Sequence, residues 1–161
     1  MIRLLRMAIL SVVLGIPAFA VALDVFNGEA DKAYNKGDYK TAYEIWKPMA
    51  DKGDAFAQLK MGVRYYEGNG VRKDYGEAMR WFKLSAEQGN TSAQANLASM
   101  LHTGIGTKQN NIDAYKWASL AASAGDVTGI SLKETLEREM TPQQIKAGNK
   151  LARELMAKYP K

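Results

Sequence analysis

Gly53, Gly89 and Gly125 fall 36 residues apart, and each closes an alanine-rich run of helical character. The same offset relates Gln58 to Gln94, Ala78 to Ala114, Trp81 to Trp117, Gly68 to Gly104 and Gly70 to Gly106. A fixed period of this length marks stacked helix–turn–helix units, each of which buries its apolar face only against its neighbours. The expected fold is therefore all-α: a short α/α solenoid of stacked helix–turn–helix repeats ending in a C-terminal capping helix. Stacks of this kind usually bind partners and rarely perform chemistry.

The first full unit spans residues 54–89 and the second 90–125. In the first, residues 55–67 read as a helix. Ala57, Met61 and Tyr65, with Gly62 beside Met61, recur at three- and four-residue steps and share one face. A glycine inside a helix costs about 1 kcal/mol relative to alanine, so Gly62 points to a close approach by the neighbouring helix. Its equivalent, Ala98, is also small. Gly68-Asn69-Gly70 ends the helix, and Asp74 supplies an N-cap for a second helix from Tyr75 to Gln88. Ala78, Trp81, Phe82, Ser85 and Ala86 mark the buried stripe of that helix. The second unit keeps the plan, with Gly104-Ile105-Gly106 in the turn and a second helix expected from Asp113 to Ala124.

Residues 23–53 read as a degenerate opening helix pair. Asp38, Tyr39 and Ala42 match Asp74, Tyr75 and Ala78 at the same offset, and Trp46 matches Phe82. Pro48 is the misfit and is expected to kink its helix or restart it near Met49. Residues 126–161 form the C-terminal capping helices. Thr141-Pro142-Gln143-Gln144 carries an N-cap, a proline at the first helical position and the glutamine of a capping box. Beyond it, Ile145, Leu151, Leu155 and Met156 supply the apolar side of the last helix.

Residues 1–22 read as a secretory signal peptide. Arg3 and Arg6 make the positive start, an apolar stretch follows, and Ala18, Ala20 and Ala22 offer cleavage after Ala20 or Ala22. The mature chain is then expected in the periplasm or secreted, with no stable membrane insertion after signal removal. The formal charge falls from +5 to +3 (20 Lys and Arg minus 17 Asp and Glu) once Arg3 and Arg6 leave. No basic cluster stands out, which argues against a nucleic-acid partner. With no cysteine and one histidine, His102, the chain offers no thiolate site, disulfide or histidine pair,. No catalytic residue, cofactor or metal ligand is therefore assigned. Glu137 and Glu139 stand two apart on a helix and diverge rather than form a carboxylate pair.

These residues together carry a family resemblance. Ala57-Gln58, Met61-Gly62, residues 65–71, Lys73-Asp74-Tyr75, Trp81-Phe82-Lys83 and Ala86-Glu87-Gln88-Gly89 closely resemble the Sel1-like repeat, a relative of the tetratricopeptide repeat. The second unit is similar but departs at Thr107 and at Gln109-Asn110-Asn111. The resemblance covers residues 31–154 and implies an α/α solenoid serving as an adaptor in protein complexes of the bacterial envelope, with no shared catalytic residue. Cysteine-rich relatives are linked to β-lactam binding or hydrolysis. That is the alternative here, a cell-wall-directed enzyme or small-ligand binder, but the disulfides of those relatives are missing.

Trp81 and Trp117 occupy equivalent positions and are expected in the core. His102 aligns with Tyr66, a boundary position. The expected functional surface is the inner wall built by the first helices. Its partner-binding candidates are Lys60, Arg64, Tyr66, Asn96 and His102, with Gln58 and Gln94 at its border. A polar wall with one or two aromatics suits a protein or peptide partner.

Overall fold

A computed structural model describes residues 18–158, with side chains from residue 25 to 157. The expected signal segment lies outside the described residues up to position 17. The described helices are α1 (Ala18–Asn35), α2 (Tyr39–Asp51), α3 (Ala55–Glu67), α4 (Tyr75–Glu87), α5 (Thr91–Thr103), α6 (Asn111–Ser123), α7 (Val127–Glu139) and α8 (Pro142–Lys158). There is no strand among the described residues, and no described helix is long and apolar enough to cross a membrane.

The turns follow from the capping chemistry of the sequence. Asp54, Asp74, Asn90, Asn110 and Asp126 are the N-caps of α3 to α7, and each side chain accepts a hydrogen bond from the backbone N–H three residues on,. Asn110 does for α6 what Asp74 does for α4, so α6 begins at Asn111, two residues before the expected start. Gly68 and Gly104 end α3 and α5 at φ values of 83° and 74°, the left-handed region where a side chain is strained,. Each long turn is then closed by the same bond: Asp74 N donates to Tyr65 O (2.9 Å), and Asn110 N donates to Leu101 O (2.8 Å).

The chain clusters into two units, residues 1–48 and 49–161. In the first, α1 and α2 are joined through Gly37, and Tyr34 lies 5.2 Å from Tyr39 and 6.1 Å from Trp46, ring centre to ring centre. Ala30, Ala42 and Trp46 are fully buried. Of the two outcomes expected at Pro48, a restart near Met49 does not occur: α2 runs from Tyr39 to Asp51 with Pro48 inside it. Proline removes the bond to the carbonyl of Glu44, but Glu44 and Pro48 are both exposed, so water replaces the missing donor,.

The second unit holds the stack. Helix α3 pairs with α4 and α5 with α6, while α4 packs on α5 and α6 on α7. Ala78, Phe82, Leu97, Met100, Trp117 and Leu136 belong to one buried cluster, and Trp81 is also buried, so the tryptophans lie where the repeat implied. Gly62 meets its expected neighbour. A Cβ built there stands 2.5 Å from Phe82 Cδ1, which only a missing side chain permits. The last helix breaks the pattern. Instead of returning along α7 as α4 returns along α3, α8 packs on α6. Its start is the capping box: Thr141 N donates to Gln144 Oε1 (2.9 Å) and Gln144 N donates to Thr141 Oγ1 (3.3 Å),.

Candidate interaction surface

The seven candidate residues separate into scaffold and surface. Gln58 and Gln94 are buried, and their amides fasten each first helix to the end of the second helix before it. Gln58 Nε2 donates to Ala50 O and Gln94 Nε2 to Ala86 O, both at 3.2 Å. Each carbonyl also accepts from the glycine N–H that closes its helix, Gly53 N on Ala50 O and Gly89 N on Ala86 O (both 3.0 Å), so the glutamine takes the second lone pair and satisfies its own buried amide,. Gln88 Nε2 also donates to Gln58 Oε1 at 2.7 Å. These glutamines hold the stack together rather than border an open wall.

Arg64 also departs from expectation, with 1% exposure. Its Nη1 donates to Asn69 O in the turn at 3.3 Å. At the repeat offset it aligns with Met100 and Leu136, both buried, so its stem fills a core slot while the guanidinium bonds the turn,.

The remaining four reach the surface. Lys60 is half-buried with its ammonium 4.7 Å from the Phe56 ring centre, and Asn96 at the equivalent position is exposed. Tyr66 is 38% exposed and meets Tyr75 edge-on at 5.3 Å. The backbone of the next turn backs that pair, since a Cβ at Gly106 would stand 2.7 Å from Tyr75 O. One unit later the same two positions are His102 and Asn111, with His102 Nδ1 3.3 Å from Asn111 Oδ1. Glu139 Oε2 lies 3.8 Å from the same nitrogen. An aromatic pair is thus exchanged for a polar one on an unchanged scaffold.

Glu137 points away from Glu139 and works elsewhere. Its Oε1 accepts from Tyr115 Oη (2.9 Å) and from Lys133 Nζ (2.6 Å), tying α6 to α7. The Lys133 ammonium, then the Tyr115 hydroxyl, hold the Glu137 carboxyl below the usual carboxylate range,. Burial, then the bond to Glu137, pushes the Tyr115 phenol up,. Among the described residues there is no group of three or more His, Asp or Glu placed to hold a metal ion.

A second surface, which sequence reasoning missed, lies along the second helices. Gly148 of α8 sits on α6, where a Cβ would stand 2.7 Å from Tyr115 Cδ1. Two open grooves flank α8. One, of about 460 Å³, has Met79, Leu97, Leu101, Trp117 and Leu151 among its lining residues. The other, of about 700 Å³, reaches Gly89, Gln94, Leu120 and Met156. Glu87 and Leu155 line both, so the grooves adjoin as one trough. The only sequence signal was indirect: a glycine in the middle of the last helix, at a place where helix propensity disfavours it.

Comparison with known proteins places this architecture. The Sel1 repeat family model matches residues 55–90 and 91–126. The fold is similar to that of a protective antigen present in uropathogenic Escherichia coli strains and displaying an SLR fold. That match has 23% identity and a TM-score of 0.79, and covers 88% of this chain but 32% of the antigen. It is also similar to a Sel1 repeat protein from Oxalobacter formigenes, with 25% identity, a TM-score of 0.67, and coverage of 80% of this chain and 55% of that one. No curated protein matches in sequence. Sel1 repeats are typically protein–protein interaction modules, and Sel1 repeat proteins are generally non-catalytic. The chain carries two Sel1 repeats, at residues 55–90 and 91–126.

Proposed function

We propose that this chain is a non-catalytic adaptor of the bacterial cell envelope that binds a protein or peptide on the wall of its first helices. One observation carries the reading: the surface pair Tyr66–Tyr75 in one unit becomes the polar pair His102–Asn111 in the next, at equivalent positions on the same helical plan. Buried positions such as Gln58/Gln94 and Trp81/Trp117 keep residues that packing dictates, and surface positions that vary on a common helical plan are free to encode a partner,. Lys60 and Asn96, again equivalent and different, are a second such pair on the first helices.

The experiment is affinity capture from envelope extract with the mature chain and a Tyr66→Ala/His102→Ala variant of unchanged helicity. The adaptor reading expects one stoichiometric protein with the parent chain and its loss with the variant. Equal capture by both sinks the assignment of the wall. Hydrolysis of a chromogenic β-lactam that follows the chain through further purification overturns the non-catalytic reading. Sequencing the mature N-terminus tests the envelope address, which fails if Met1 is retained.

A further inference from the structure

We propose that the trough between α4 and α8 is a second docking site, and that its occupant is a basic amphipathic helix of a partner protein. It goes beyond the adaptor reading, because every residue it uses lies outside the Tyr66–His102 wall.

The chain itself shows how a helix docks on this face. α8 lies on α6 over Tyr115, with a glycine where the two come closest. The residue of α4 equivalent to Tyr115 is Met79, and it is left half-buried on the floor of the groove. The site on α4 that corresponds to the α8 seat on α6 is therefore open, and α8 itself forms its other wall. Leu97, Leu101, Leu151 and Leu155 join Met79 in the apolar floor, which suits anchors spaced three and four apart on a helix,.

Charge selects the occupant. Glu87, Asp113 and Glu154 line the trough with Lys83 and Lys116, and Lys150 stands beside Glu154. Lys116 is closely held by Asp113 at 2.7 Å. Glu87 and Glu154 face the groove from opposite walls, and their ion pairs to Lys83 and Lys150 are long, at 3.9 and 3.8 Å. Two loosely paired carboxylates above an apolar floor are complementary to lysine or arginine flanking an apolar stripe.

The test uses the full chain and two fluorescein-labelled helical peptides of roughly 18 residues, about five turns. Both share one alanine and leucine stripe, and one carries lysine where the other carries glutamate. Fluorescence anisotropy should show saturable binding of the lysine peptide, about tenfold tighter than the glutamate peptide. Glu87→Gln/Glu154→Gln should remove most of that preference and flatten its salt dependence. Met79→Arg should abolish binding at unchanged helicity. Non-specific attraction to a chain of net +5 favours the glutamate peptide, so equal or reversed preference overturns the proposal. An unchanged affinity in the glutamine variant also overturns it. Tyr66→Ala/His102→Ala should bind the peptide normally, which separates failure here from failure of the adaptor wall.

Discussion

Replacing Gly62 by alanine should destabilise the stack, although the same change in an ordinary helix stabilises it. Alanine gains about 1 kcal/mol over glycine in a helix interior. Against that, the new methyl would stand 2.5, 2.6 and 3.0 Å from Phe82 Cδ1, Cε1 and Cγ, well inside the distance carbon atoms tolerate. Phe82 is 2% exposed, so its ring has nowhere to swing. Overpacking a tight core costs typically 1–3 kcal/mol, which leaves a net loss of about 0–2 kcal/mol. The second unit shows the alternative solution, because the residues equivalent to Gly62 and Phe82 are Ala98 and Ala118, both fully buried. Phe82→Ala alone should cost about 3–5 kcal/mol. In that background Gly62→Ala should stabilise by up to about 1 kcal/mol, since only the propensity gain remains. The double-mutant cycle should thus return a coupling of roughly 1–3 kcal/mol. Urea denaturation of the four proteins measures it, with Gly28→Ala as a control, since nothing lies within 4 Å of a Cβ there. If Gly62→Ala stabilised the parent and the Phe82→Ala variant equally, the close-approach reasoning would be refuted.

Gln94→Ala removes one of the donors to the buried Ala86 carbonyl, which keeps its bond from Gly89 N, and should cost about 0.5–1.5 kcal/mol in chemical denaturation,; a loss below a few tenths would mean the clamp is idle. Ser119→Ala should stabilise by roughly 1 kcal/mol, because its buried hydroxyl makes no hydrogen bond and alanine is the better helix former,. Thr141→Ala should lower stability by about 0.5–2 kcal/mol through loss of half the capping box, read as a fall in Tm,. The Glu137 carboxyl is held low in the folded chain, so its contribution is present above the unfolded carboxylate value of about 4.3 and lost as pH falls through the folded one,. Glu137 is 38% exposed, so that contribution is below about 1 kcal/mol,. Stability measured from pH 6 down to about 3 should therefore fall less steeply in Glu137→Gln than in the parent.

The parts of this molecule that could be read from its sequence are those dictated by position within a period. Asp74 as a cap, Gly68 as a left-handed end and Trp81 as core follow from chemistry within one helical turn, or from one register shift of 36 residues. Arg64 shows where that reading went astray. Its charge argued for the surface, yet Met100 and Leu136 at the same offset place it in the core, and a guanidinium can bond a turn from there. The trough left only an indirect trace, Gly148 in the middle of the last helix. It depends on α8 leaving the hairpin pattern to lie on α6, and the two residues between α7 and α8 carry no periodic signal for that.

The two surfaces differ in how they would acquire specificity. On the first-helix wall, the backbone geometry repeats and the side chains change, so a partner is read as a sequence of unlike contacts on like supports. In the trough, one unit lacks a covering helix that its neighbour has, so the site exists because the repeat is interrupted by its cap. Lengthening the stack by one unit would extend the wall by one contact. It would also carry α8 away from α4, so that the wall facing α8 would come from α6, with Tyr115 and Ser123 in place of Met79 and Glu87. An insertion of a copy of residues 90–125 after Gly125 therefore distinguishes them. Capture through Tyr66 and His102 should survive it, while lysine-peptide binding between α4 and α8 should be lost. Retention of peptide affinity in the lengthened chain would show that the acidic walls are not what selects the helix.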